Sequence, residues 1–111
     1  MSGIRDENTK EELKELLIAL SSNCCCVCQT PFIHAHHIDK NETNDTIENL
    51  APLCPNHHAL AHTDESNMFL NLTAERIIGI RDRWYAYVED RKKVAAYAQE
   101  YAYQKRRVNT D

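Results

Sequence analysis

All six histidines of this chain fall within 29 consecutive positions: His34, His36 and His37 in "HAHHI", then His57, His58 and His62 in "LCPNHHALAH". Four of the five cysteines, Cys24, Cys25, Cys26 and Cys28, stand just upstream, and the fifth, Cys54, opens the second histidine group. Imidazoles and thiolates are the side chains that bind zinc and its neighbours in the transition series. Cys25-x-x-Cys28 with Cys54-x-x-His57 makes two knuckles that can close tetrahedrally on one structural Zn²⁺. Cys24 and Cys26 remain as alternative partners, so the register stays open between them. Disulfides fit poorly, because four cysteines within five residues cannot each reach a distant partner in good geometry.

A second set comprises His36, His37, His58 and His62. On a helix, His58 and His62 at i, i+4 project from one face, as a shared metal ion requires. Neighbouring residues of a strand point to opposite faces, so His36 and His37 cannot easily be equal ligands of one ion. That implies a division of labour, with one imidazole on the metal and the other free to accept a proton. His34 has no assigned role in this scheme.

"HAHHI" followed by "ENLAPLCPNHHALAH" resembles the HNH endonuclease motif, the ββα-metal fold. The resemblance runs from Cys25 to His62, about a third of the chain. It implies His37 as general base and Asn49 as the asparagine that holds the intervening loop so that His37 is oriented. It also implies His36, His58 and His62 as ligands of a catalytic ion. His36 stands where many members of the family have aspartate, and His62 extends the set as in the DNase domains of colicins. The loop between the two halves, "DKNETNDT", lacks the glycines usual there, so asparagines are expected to make its turn. His57 stands where the fourth cysteine of the zinc knuckle is common.

The implied chemistry is hydrolysis of DNA phosphodiester bonds. A neutral His37 would deprotonate a water in line with the phosphorus, and a divalent ion would assist the phosphate and the 3′ leaving oxygen. Imidazole ligands suit Zn²⁺, Ni²⁺ or Mn²⁺, while substrate oxygens would also admit Mg²⁺. The expected setting is an effector nuclease of restriction or anti-phage defence. The alternative is a catalytically silent zinc module that binds nucleic acid or protein.

The elements that must position these groups are legible as patterns. Thr9 and Glu12 form a capping box ahead of Leu13, Leu16, Leu17 and Leu20, which predicts an N-terminal helix over 8–22. The knuckle and motif occupy 24–62, with a strand at 32–38, a polar loop at 39–46, a second strand or turn at 47–53 and a short helix from Pro55. Thr73 caps a long helix over 73–107 whose first half carries Ile77, Ile80, Trp84 and Val88 on one face. Its second half keeps Val94, Tyr97, Ala98, Tyr101 and Ala102 at helical spacing. The alternative is a hairpin that bends back at "EDRKK".

The expected architecture is therefore one α+β domain over 1–111, mainly helical, with a ββα-metal core between an N-terminal and a long C-terminal helix. Net charge is −4, but residues 1–75 hold 4 basic and 12 acidic side chains, against 9 and 5 in 76–111. DNA contacts are thus expected from Arg91, Lys92, Lys93, Lys105, Arg106 and Arg107. The uncovered second half of the long helix predicts self-association or a regulatory protein partner. No run is apolar enough to span a bilayer, and the N-terminal stretch lacks a signal core, so no membrane role and a cytoplasmic location are expected.

Overall fold

The structure, a computed structural model, describes residues 9–62 and 72–109, with side chains through Arg106. The expected helix start at residue 8 and the Arg107 side chain fall outside the described residues. Within them the fold is α+β and mainly helical, in the order α1 (Lys10–Ser21), β1 (His34–His37), a 3₁₀ turn (Ile47–Asn49), β2 (Leu50–Leu53), α2 (Pro55–Ala61) and α3 (Ala74–Asn109).

The N-terminus of α1 is closed by the expected capping box: Thr9 Oγ1 accepts from Glu12 N–H, and Glu12 Oε1 accepts from Thr9 N–H. Ser22, in the left-handed region at φ 59°, ends the helix. Leu13 and Leu17 turn inward and join Leu50, with Ile33, Ile47 and Tyr85 around them. β1 and β2 pair antiparallel, with His34 opposite Leu53, His36 opposite Ala51 and His37 opposite Leu50.

β1 is shorter than the expected 32–38. Phe32 takes φ 71° and is 75% exposed, and its N–H bonds the carbonyl of Asn23, so it belongs to the turn that leads out of the knuckle. The loop after β1 also differs from expectation. Lys40, not an asparagine, takes the left-handed conformation at φ 64°. Asparagines support that turn from their side chains instead, with Asn44 Nδ2 donating to Asp39 and Asn41 Oδ1 accepting from Thr43.

α3 is one continuous helix, so the hairpin alternative is not adopted. Ile77 is buried in the main core with Cys25, Cys26, Ala51, Leu53, Cys54 and Ala61, and Ile80 and Trp84 pack against it. Three polar side chains tie the helix down. Arg81 donates to the carbonyls of Glu48 and Leu50, Trp84 Nε1 to Ser21 and Lys92 Nζ to Ala19. Val88 is the last buried residue, and every described side chain from Glu89 to Arg106 is exposed. The 66 Å long axis follows from this, since 36 helical residues at about 1.5 Å each make a rod of about 54 Å.

Gly79 lies inside α3 with nothing within 4 Å of the position a Cβ would take. Gly79→Ala is therefore expected to stabilise the domain by about 0.5–1 kcal/mol, through the chain entropy that glycine alone loses. A urea titration measures it.

Candidate metal centres and proton acceptor

The knuckle residues converge as their spacing implies. Cys25, Cys28, Cys54 and His57 place their ligand atoms within 4.8 Å of one another, close enough to hold a metal ion. Cys28 Sγ lies 3.8 Å from Cys54 Sγ, and His57 Nδ1 lies 3.3 Å from Cys54 Sγ and 3.7 Å from Cys25 Sγ. Tetrahedral zinc with ordinary Zn–S and Zn–N bonds calls for edges of about 3.8 Å between sulfurs and about 3.6 Å from sulfur to nitrogen. The donor set therefore fits zinc in both type and spacing. A disulfide would instead need sulfurs about 2 Å apart.

The register left open by the sequence is resolved by position. Cys24 lies in an isolated bridge with Pro31, and Cys26 packs into the core while its N–H bonds the Pro52 carbonyl. Burial pushes the Cys26 thiol up to about 12, so it stays protonated and apolar in character. Burial likewise raises Cys25, and a metal ion is what would hold that sulfur as thiolate.

The second centre lies across α2. His36, His58 and His62 also bring their ligand nitrogens within 4.8 Å. Their ring centroids stand 5.3 Å (His36 to His58), 5.0 Å (His36 to His62) and 4.7 Å (His58 to His62) apart. His58 Nε2 and His62 Nε2 are 3.0 Å apart, the separation of two adjacent ligands at about 2.1 Å from one ion. His36 is 1% exposed, and its Nδ1 is buried with no hydrogen-bond partner among the described residues. Leaving such an atom unpaired costs about 1–3 kcal/mol, which a bound ion would relieve.

Burial, with the neighbouring His58 and His62 next in weight, lowers His36 to about 4, and burial with His62 and His34 also lowers His58. Both rings are therefore neutral at pH 7 and offer lone pairs. A depressed histidine adds stability above its unfolded pKa of about 6.5 and loses it as pH falls through the folded value. Stability carried by His36 is thus expected to be lost as pH falls from about 6.5 towards 4. Urea melts of the wild type and His36→Gln across that window would show it.

His37 stands apart from this triad. Its ring is partly buried, and Nε2 lies 2.8 Å from Asp45 Oδ1. Asn49 fastens the loop that carries Asp45: its Nδ2 donates to Asp39 Oδ1 and the Asn44 carbonyl, and its Oδ1 accepts from Asp39 N–H. A cleft of about 250 Å³ lined by Lys10, Ala35, His37, Lys40, Glu42, His58 and His62 joins His37 to the imidazole triad.

Two residues lie in this arrangement without having stood out in the sequence, Asp45 and Lys10, whose Nζ is 3.1 Å from Asp45 Oδ2. His34, singled out but left without a role, joins them. His34 Nδ1 lies 3.0 Å from Nδ1 of His58, where it can accept the proton of a ligand ring and orient it. Of the basic residues expected to contact DNA, Lys92 is engaged with the Ala19 carbonyl. By helix rise, Lys105 and Arg106 lie about 20 Å beyond it along α3.

Among the described residues, no helix is long and apolar enough to cross a membrane. Comparison with protein-family models, curated proteins and solved structures finds no match to the chain.

Proposed function

We propose that the chain is a metal-dependent endonuclease of the HNH kind that hydrolyses DNA phosphodiester bonds. The observation that carries this reading is the split between two neighbouring histidines: His36 joins His58 and His62, while His37 faces the same cleft outside that set. A structural staple needs neither the second cluster nor the separate ring.

In the proposed reaction, the phosphodiester enters the cleft that His37 shares with His58 and His62. His37 takes a proton from a water aligned with the phosphorus. The water oxygen bonds to phosphorus as the bond to the 3′ oxygen breaks, leaving a 5′-phosphate and a 3′-hydroxyl. A divalent ion held by His36, His58 and His62 would neutralise charge on the phosphate and on the departing oxygen. Cys25, Cys28, Cys54 and His57 would carry zinc as a staple. We place the enzyme in the cytoplasm, as an effector of restriction or anti-phage defence.

Plasmid nicking measured with added Mg²⁺, Mn²⁺, Ni²⁺ or Zn²⁺ tests the reading, with a chelator as control. Nicking that needs an added ion supports it. A zinc-loaded, folded chain that leaves plasmid intact with every ion favours the silent module.

A second copy of the chain is the proposed partner of α3. Val94, Tyr97 and Tyr101 are exposed on a stripe that continues to Asp90 at one end and Lys105 at the other. Antiparallel pairing centred on Tyr97 and Ala98 sets those unlike charges opposite each other. Arg91, Lys93, Arg106 and Arg107 would remain for DNA phosphates. Light scattering is expected to give a dimer for the intact chain and a monomer after Tyr97→Glu with Tyr101→Glu. A wild-type monomer at high micromolar concentration would refute the pairing.

A further inference from the structure

The contact between His37 and Asp45 determines which ring nitrogen is available for chemistry. Asp45 Oδ1 lies 2.8 Å from His37 Nε2, and an ionised carboxylate can only accept. The proton of the neutral ring therefore sits on Nε2, and the lone pair sits on Nδ1. Hydrogen bonds from His37 and then Lys10 hold the Asp45 carboxyl below its usual range, so it is ionised throughout the neutral region.

Its second oxygen is occupied as well. Lys10 Nζ, from the first turn of α1, lies 3.1 Å from Asp45 Oδ2. Asp45 is thus held from α1 and β1 at once, on a loop that Asn49 pins at Asp39 and Asn44. Its position depends on two elements and a closed loop rather than on one flexible contact.

Resting on the nuclease reading above, we infer that Asp45 is the positioning residue of His37. It fixes the Nε2–H tautomer and the ring plane so that Nδ1 receives the proton of the attacking water, and Lys10 fixes Asp45. As Nδ1 takes that proton, the water oxygen bonds to phosphorus and the electron pair of the breaking bond leaves on the 3′ oxygen. That oxygen is protonated from solvent. The ring becomes imidazolium, and its Nε2–H bond to Asp45 becomes an ion pair that stabilises the new charge. His37 then returns its proton to water.

The test uses the full chain loaded with zinc and its divalent ion. In the wild type, ¹⁵N spectra of the ring should show His37 protonated at Nε2 and bare at Nδ1. Asp45→Asn keeps the size of the side chain but can also donate, so it should give a mixture of tautomers. Its kcat for plasmid cleavage should fall about 10- to 10³-fold, within what a general base supplies. KM, metal content and melting temperature should stay close to wild type, and Asp45→Glu should recover part of the rate. A role confined to tacking down the loop would lower the melting temperature and leave the tautomer alone. A wild-type ring protonated at Nδ1, which needs no variant to observe, overturns the inference. So does an Asp45→Asn chain that cuts at the wild-type rate. A wild-type chain that cuts nothing, with His37 protonated at Nε2, instead overturns the nuclease reading and takes the catalytic role of Asp45 with it.

Discussion

Cys54→Ser is expected to leave the chain with less than one equivalent of zinc at the knuckle and to lower its melting temperature by more than about 10 °C. Cys54 does two jobs: its Sγ sits among the knuckle ligands, and it caps α2 by accepting from His57 N–H. Serine is among the better capping residues, so the substitution keeps the cap and removes only the soft ligand. Structural zinc sites contribute about 10–16 kcal/mol of apparent binding energy, comparable with the whole stability of a domain this size, about 5–15 kcal/mol. Two four-residue strands and a seven-residue helix cannot replace that contribution. Cys26→Ala is the control, since it thins the core by one small side chain and should retain zinc. Metal analysis alongside thermal melts reads both variants. Full zinc and an unchanged melt in Cys54→Ser would mean that Cys54 is not a ligand.

His37→Ala and His58→Ala should separate the two halves of the proposed chemistry. Losing His37 is expected to reduce cleavage by about 10²–10⁴-fold, the usual worth of a general base, with both metal centres still loaded. The ring is only partly buried and lies outside the triad, so the fold should tolerate its removal. Losing His58 should also stop cleavage, but by a different route. It removes a central member of the triad, 3.0 Å from His62, and the catalytic ion should then be missing while the knuckle keeps its zinc. Cleavage rates paired with two-site metal titrations distinguish the variants. Near-normal cutting by His37→Ala would end the general-base assignment.

The two ligand clusters were legible in the sequence because their residues are few in type and their spacing is dictated by backbone geometry. An x-x gap returns two side chains to one point, and an i, i+4 gap does the same on a helix. The capping box at Thr9 and the apolar face of α3 were legible for a similar reason, as local patterns. The strand limits were not, because Phe32 looks like any strand residue until its φ is known. Asp45 was hidden among 17 acidic residues, in a loop whose closure depends on Asn49, and no spacing rule links it to His37. Lys92 looked like a free surface charge, yet the end of α1 lies beside it. That pairing follows from how α1 and α3 pack, not from the sequence around Lys92.

The adjacency of His57 and His58 on α2 has a consequence for how this chain can vary. Consecutive helical residues diverge by about 100°, and α2 uses that angle to face two centres from neighbouring positions. A single residue inserted after His57 would leave Cys54 and His57 in place. It would also swing His58 and His62 together through about 100°, away from His36. A deletion there would do the same in the opposite sense. Length changes within α2 should therefore eliminate one centre while sparing the other, whereas an added residue in α3 beyond Val88 meets no such constraint from the core. Relatives that keep both centres should hold the length between Cys54 and His62 constant, as they should that between Cys25 and Cys28.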